Sequence, residues 1–312
     1  MKVEKMDLSL SKLEFIARRI YDMAFPPSKY IPKIPPECSD FADDKFEPSL
    51  RNPVSQLCTA NQFKEEEFRF WVSEMQEPFR KHRKLWEFVY ILQILKRDDL
   101  LSPSRRGLGF GVGKEPLPAV MAKYGVEVLA TDLDTATAAT KGWVETNQHA
   151  HTLADLNARG ICPMDSFSRL VRFEFEDMNN ISESFRDFDF CWSSCAFEHL
   201  GSIEAGLVFV ENSLNCLKPG GLAIHTTEYN CFSNERTAKV GGTVIFRMRD
   251  FLDLGKKLRK NGHDIRYNFN QGLDPIDQHV DAAPYSDDPH LKLSLMQYTT
   301  TSIGLLVRKC PS

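Results

Sequence analysis

The chain has 312 residues, 42% of them hydrophobic and 26% charged, with 39 Lys and Arg against 43 Asp and Glu and a formal net charge of −4. This is the composition of an ordinary soluble globular protein, long enough for one large domain or for a domain with a substantial appendage, and its negative balance argues against nucleic acid as a partner. No apolar run approaches the ~18 residues of a membrane span and no uninterrupted signal-peptide core opens the chain, so a cytoplasmic protein without a membrane partner is expected.

Leu10, Leu13, Ile16, Ala17 and Ile20 share one face of a helix predicted over Leu8 to Phe25, stopped by Pro26 and Pro27. Pro32, Pro35, Pro36 and Pro48 predict an extended, loop-like cover as far as Pro53. A second helical region is expected from about Ala60 to Lys96, interrupted at Pro78. Its apolar load, including Phe63, Phe68, Trp71, Met75, Phe79, Trp86, Tyr90 and Ile94, reads as core packing. Arg80 to Lys84 form the densest basic run, which reads as a solvated face that is also placed to meet an anionic group.

The stretch from Arg106 to Asp134 reads as strand, glycine turn, helix, strand. Gly109, Gly111 and Gly113 alternate where backbone would pass close to a ligand, and Pro116 and Pro118 suit the first turn of the helix that follows. Leu117, Val120, Met121 and Tyr124 line one face of that helix, and Gly125 stands at its C-cap. Val126 to Thr131 is a buried strand ending at Asp132, at the sheet edge where a carboxylate can accept both hydroxyls of a ribose. A dinucleotide fingerprint would need its third glycine at 112, 114 or 116; Val112, Lys114 and Pro116 stand there, and the NAD reading fails in every frame.

Thr135 to Ala150 is predicted helical, and Leu153 to Ser168 less regular. Val171, Phe173 and Phe175 alternate as a strand that runs into Glu176, Asp177 and Met178. Asp187 to Ser194 is the next strand, and CAFEHLG after it carries Glu198 and His199 away from the sheet's carboxyl end. A helix from Ile203 to Leu217 closes on Lys218 to Gly221, before a strand over Leu222 to Thr227 that holds His225 and leads to Glu228, Tyr229 and Asn230. Phe246 to Asn261 is a helix, Ile265 to Phe269 a strand, and Thr300 to Val307 the closing strand. Asp274, Asp277, His279, Asp281 and His290 sit in a loop that reads as polar surface; its carboxylates and imidazoles also suit a divalent cation. The eight cysteines form no C-x-x-C and are expected to be reduced and mostly buried.

Four of these pieces, in order between Arg105 and Tyr229, resemble the class I S-adenosylmethionine-dependent methyltransferase superfamily. They are the G-x-G-x-G turn with its closing acid, Asp177 with Met178, the DFDFCWSS strand, and LKPGG before a strand. The resemblance implies an α/β, Rossmann-like seven-stranded methyltransferase sheet with helices on both faces. Its last strand would be antiparallel, between the fifth and sixth positions. Residues 101–312 would then be the cofactor-binding domain and residues 1–100 a helical lid over the acceptor. S-adenosyl-L-methionine would be held by Gly109, Phe110, Gly111 and Gly113, by Asp132 and Leu133 at the ribose, by Asp177 and Met178 at the adenine, and by Ser193 and Ser194 beside the methyl group. The superfamily often has an acid two positions before the first glycine; here Gly107 stands there, leaving Glu115 or a residue from elsewhere to make that contact.

Methyl transfer from a sulfonium is an in-line displacement, in which the protein chiefly aligns the acceptor and excludes water. A hydroxyl acceptor also benefits from a general base, and His199, then His225, are the candidates, with Glu198 or Glu228 orienting. The acceptor motifs of amino-group and cytosine-C5 nucleic-acid enzymes are missing, which leaves a small molecule or glycan hydroxyl in front. A protein or RNA methyltransferase and a non-catalytic cofactor-binding module are the alternatives.

Overall fold

A computed structural model describes residues 30–134 and 152–311; the helices expected over 8–25 and 135–150 lie outside these residues. The elements in chain order are β1 (Ala42–Asp43), β2 (Ser55–Leu57), α1 (Glu66–Glu74), α2 (Arg83–Arg97), β3 (Arg106–Phe110), α3 (Leu117–Lys123) and β4 (Glu127–Asp132). They continue with α4 (Met164–Leu170), β5 (Val171–Phe175), β6 (Phe188–Ser194), α5 (Ile203–Ser213), β7 (Leu217–Asn230), α6 (Met248–Lys260), β8 (Asp264–Ile265), β9 (Tyr267–Asn268), α7 (Pro275–Gln278), β10 (Val280–Asp281), β11 (Lys292–Leu295) and β12 (Tyr298–Arg308).

Strands lie in the order β1-β9-β2-β12-β7-β6-β3-β4-β5. The pairings from β5 across to β7 are all parallel. Strand β12 runs antiparallel along β7 from Thr300 opposite Asn230 to Arg308 opposite Leu222, and on its other edge takes β2 and β8. This is the class I methyltransferase arrangement, with the antiparallel strand between the fifth and sixth positions. The sixth position is divided between β8 and β2, so the sheet exceeds seven strands; twelve contribute among the described residues.

The sheet's centre depends on glycine facing aromatic. Gly107 of β3 is registered with Phe190 of β6, and Gly109 with Trp192. A Cβ on either glycine would come within 2.5 Å of the partner's ring. Two aromatic side chains thus pack directly on the backbone of β3, which no larger residue at either position would permit. One core face joins Trp71, Trp86, Tyr90, Val120, Phe190 and Trp192; the other joins Phe110, Phe197, Phe209, Tyr229, Phe246 and Phe251.

The segment expected as a loop-like cover takes part in this architecture. Strand β1 pairs with β9, and β2, just beyond Pro53, pairs with both β9 and β12. Trp71 and Trp86 donate their indole protons to Gln93 (2.8 Å) and Gln62 (2.9 Å), while Tyr90 lies where a Cβ on Gly304 of β12 would be. Residues 42–97 therefore share the sheet's core, and the expected boundary near residue 100 cuts through it. The region predicted as one interrupted helix is a short 3-10 turn, α1 and α2, and residues 153–168 hold another 3-10 turn and most of α4.

Helix α2 is anchored by one carboxylate. Glu87 is fully buried; its Oε2 accepts from Ser194 of β6 and Thr226 of β7 (both 3.1 Å), and its Oε1 from Cys195 (3.0 Å) and from Ser302 of β12. Arg83 and Lys84, one turn earlier, lie 3.6 and 3.4 Å from it. Burial alone would push this carboxyl up, but Lys84, Arg83 and the donated hydrogen bonds outweigh it and hold the group below its ordinary range. Removing one member of such a buried set strands the others without partners. Glu87→Ala is expected to cost about 3–5 kcal/mol of stability in urea unfolding, with Glu87→Gln costing less because it can still accept two of the hydrogen bonds. A change below about 1 kcal/mol for the alanine variant would contradict this role.

Candidate cofactor cleft

The turn after β3 is shaped by left-handed backbone at Gly111 (φ 58°) and Gly113 (φ 50°). It is tied to β4 by hydrogen bonds from Val112 N to the Thr131 carbonyl (3.1 Å) and from Thr131 Oγ1 to the Gly109 carbonyl (2.7 Å). Asp132 closes the tie: Oδ2 accepts from Gly113 N (3.1 Å) and Oδ1 from Leu133 N (2.8 Å). A Cβ on Gly111 would meet Ala196 at 3.0 Å and the Met178 sulfur at 3.3 Å. The bare backbone is thus the floor of a cleft whose walls are those two residues.

The cleft has two halves that share Gly111 and Asp132. One, the narrower, is lined by Leu133, Glu176, Asp177, Met178, Ala196, His199 and Leu200. The other, wider and more open, is lined by the turn from Gly111 to Pro116 and by Lys84, Phe88, Arg159, Ser194 and Cys195. Both lie at the carboxyl ends of the parallel strands, at the switch point between β3 and β6, where open α/β sheets bind ligands. An apolar slot with acids at its rim suits a nucleoside, and a wider half with cations and a carboxylate suits an amino-acid group.

The structure sorts the sequence candidates. Gly111, Gly113, Asp132, Leu133, Asp177, Met178 and Ser194 line the cleft, while Gly109 supports it from beneath, against Trp192. Phe110 points to the far face, edge-on to Phe209, and serves the core. Ser193 also faces away from the cleft, 2.9 Å from His225 Nδ1.

His225 is not available as a base. It is fully buried, and Ser213, whose hydroxyl proton goes to the Val210 carbonyl, lies 3.1 Å from Nε2. Nε2–H must therefore donate to Ser213, and Nδ1 accept from Ser193. Burial pushes its pKa down to about 3, so it is a neutral internal strut. His199 lies at the narrower half, beside Asp177 and Met178, rather than with Ser194 and Cys195. Its Nδ1 is 2.7 Å from the Gly242 carbonyl, which needs the proton on Nδ1. Glu198 is buried and accepts from Thr227 Oγ1 at 2.9 Å.

The basic run and Glu115 stood among the sequence candidates; Phe88, Arg159 and Cys195, which line the wider half with them, did not. Arg83 reaches from α2 to pair with Glu228 of β7, and Cys195 holds a left-handed backbone (φ 46°) uncommon for a side-chain-bearing residue. Cys195 Sγ and oxygens of Glu198 and Glu228 lie within 4.8 Å of one another, a set of atoms able to hold a cation. Here Cys195 donates to Glu87, and Glu228 pairs with Arg83. Burial, then the nearby Glu198 and Glu87, raise the Glu228 carboxyl against the lowering effects of Arg83 and of a hydrogen bond from Thr300. The loop suggested for a cation is otherwise engaged: Asp277 accepts from Ala60 N (2.8 Å), Asp281 from Ser286 N (2.9 Å) and pairs with His290 (2.7 Å), and His279 is exposed. The signals available in the sequence were the Arg80–Lys84 run and the acid just past the glycines.

No protein-family model matches the chain, and no curated protein matches it in sequence. Solved structures do resemble it. An S-adenosylmethionine-dependent methyltransferase from Clostridium acetobutylicum aligns over 78% of this chain and 98% of its own at 14% identity and a TM-score of 0.40. TehB from Haemophilus influenzae aligns over 69% and 61% at 16% identity and 0.42. Phosphoethanolamine N-methyltransferase 2 from Haemonchus contortus, in complex with S-adenosyl-L-methionine, aligns over 53% of this chain but only 35% of its own, at 20% identity and 0.36. The fold assignment rests on the strand order: the chain has the class I S-adenosylmethionine-dependent methyltransferase fold, with the cleft at the carboxyl ends of its parallel strands.

Proposed function

We propose that the chain is an S-adenosylmethionine-dependent methyltransferase that methylates a hydroxyl of a small molecule or glycan. The observation that carries this is the two-part cleft over a bare glycine floor, with Asp132 at the junction of its halves. The adenosine takes the narrow half, between Met178 and Ala196, with Asp177 at its rim and Asp132 at the ribose. The amino-acid end takes the wider half beside Lys84. The methyl group then faces Ser194 and Cys195. The cofactor supplies the methyl as a sulfonium; the residues around it align the acceptor, keep out water and take up a proton.

For a hydroxyl acceptor the proton goes to Glu228 rather than to His199. Glu228 is buried, and one of its oxygens lies within 4.8 Å of the Cys195 sulfur that lines the cleft. A carboxyl raised by burial is a better base than one in water. Arg83 and Lys84 face Glu87 and Glu228, which argues against the basic run being an RNA-docking surface. Residues from the N-terminal 100 cover the acceptor in this reading.

Calorimetry with S-adenosylmethionine tests the cofactor assignment. Gly111→Val is expected to abolish binding, because any Cβ there enters the cleft's walls, and Asp132→Ala to weaken it by about 10- to 150-fold, the loss of hydrogen bonds to a charged partner. No heat with the wild type, or unchanged affinity in the Asp132 variant, rejects the assignment. Screening hydroxyl compounds by release of S-adenosylhomocysteine identifies the acceptor. With it, Glu228→Gln is expected to lower kcat by about 10²- to 10⁴-fold with cofactor affinity little changed, whereas His199→Ala shifts cofactor affinity more than kcat. The reverse pattern would return the base to His199.

A further inference from the structure

We propose that a notch at the amino ends of the strands, where β2, β8 and β12 meet, binds a phosphate monoester with an apolar substituent, whatever the cleft holds.

The notch exists because the strand position beside β12 is divided. Strand β2 pairs with Ile303 and Gly304, β8 pairs with Val307 and Arg308, and the chain leaves β8 at Arg266 to join β2 through β9. Among the described residues, Leu305 and Leu306 have no strand partner on that edge; the Ser55 hydroxyl stands in, accepting from Leu306 N at 2.9 Å. Val54, Leu222 and Leu306 give the opening an apolar lining, and three arginines from different elements complete it: Arg97 at the end of α2, Arg266 between β8 and β9, and Arg308 at the end of β12. The cleft is at the other end of the sheet. Strand β7 runs from Leu222 at the notch to its carboxyl end at Asn230, about 26 Å away.

The guanidinium groups outnumber the acids beside them. Asp98 is shared by Arg97 (2.6 Å) and Arg308. Asp264 is shared by Arg266 (4.0 Å) and Arg259 (3.9 Å), whose closer partner is Asp40 (3.0 Å). Two of the three lining forks are held by backbone: Arg97 donates to the Pro53 carbonyl (2.5 Å) and Arg308 to the Gly220 carbonyl (3.2 Å). The Arg266 side chain is 71% exposed, makes no hydrogen bond among the described residues and can turn towards a ligand. Guanidinium forks match phosphate oxygens in pairs. Two fixed forks and one adjustable fork beside an apolar lining suit a dianion with an apolar body better than a bare anion or a monoanion.

The test is calorimetry on the full chain with phenyl phosphate, inorganic phosphate and benzoate at constant ionic strength. Phenyl phosphate should bind one to one, and about tenfold or more tighter than either of the others. Arg266→Gln should weaken it by about tenfold and Arg266→Lys by less, the loss of charge-assisted hydrogen bonds from one fork. Thermal unfolding of both unliganded variants should match the wild type. Arg249→Gln, at another exposed arginine on α6, should leave affinity within about twofold. Absence of one-to-one binding overturns the proposal. So does wild-type affinity in Arg266→Gln, which would put the anion elsewhere, the cleft included, and so does an equal loss in the Arg249 variant, which would reduce the effect to net charge. Benzoate or inorganic phosphate binding as tightly as phenyl phosphate would overturn the ligand class.

Discussion

A charged group buried among hydroxyls holds this fold together at its functional edge. Glu87 takes hydrogen bonds from residues on or next to β6, β7 and β12, and the end of β6 lines the cleft through Ser194 and Cys195. A carboxylate so far from water is tolerable only with nearly complete pairing, because the desolvation penalty is several kcal/mol per ion. Directional hydrogen bonds therefore fix where the first turn of α2 lies over the sheet. That turn brings Arg83 to Glu228 and Lys84 to the mouth of the cleft. Apolar packing of α2 alone, through Trp86, Val89 and Tyr90, would bury the helix without specifying its axial position to the ångström scale on which these side chains must meet.

The second constraint is the exchange of bulk between β3 and β6. Glycine on the first strand lets Phe190 and Trp192 cross it, and the indole so placed reaches the far end of the glycine turn. Nearby, Asp132 has two duties: it ties the turn with its hydrogen bonds to Gly113 and Leu133, and it stands where both halves of the cleft meet. A residue with both duties couples the integrity of the turn to ligand binding.

The local order of elements was legible because it is written in periodicity and punctuation. Val171, Phe173 and Phe175 alternate, Gly125 and Gly262 close helices in left-handed backbone, and the glycine turn precedes a strand that ends in an acid. Asp132, Asp177, Met178 and Ser194 fall in the cleft because strand ends fix their positions. What escaped was long-range. That Ser55–Leu57 joins the sheet is set by partners some 210 to 250 residues later, and neither its composition nor its length marks it as a strand. The two histidines illustrate the same limit. His225 sits on a strand ending at the cleft, but the side on which it points depends on strand register, and that side faces Ser193 and Ser213. Glu87 is one more acid in a charged helix until the hydroxyls of three distant strands converge on it.

In the proposed function one ligand spans both halves of the cleft, and a crystal structure with S-adenosylhomocysteine is the sharpest test of that placement. The expected result is adenine between Met178 and Ala196, ribose hydroxyls on Asp132, and the sulfur pointing towards Ser194 and Cys195. A ligand bound elsewhere, or lying in the cleft with its adenine beside Lys84, would contradict it.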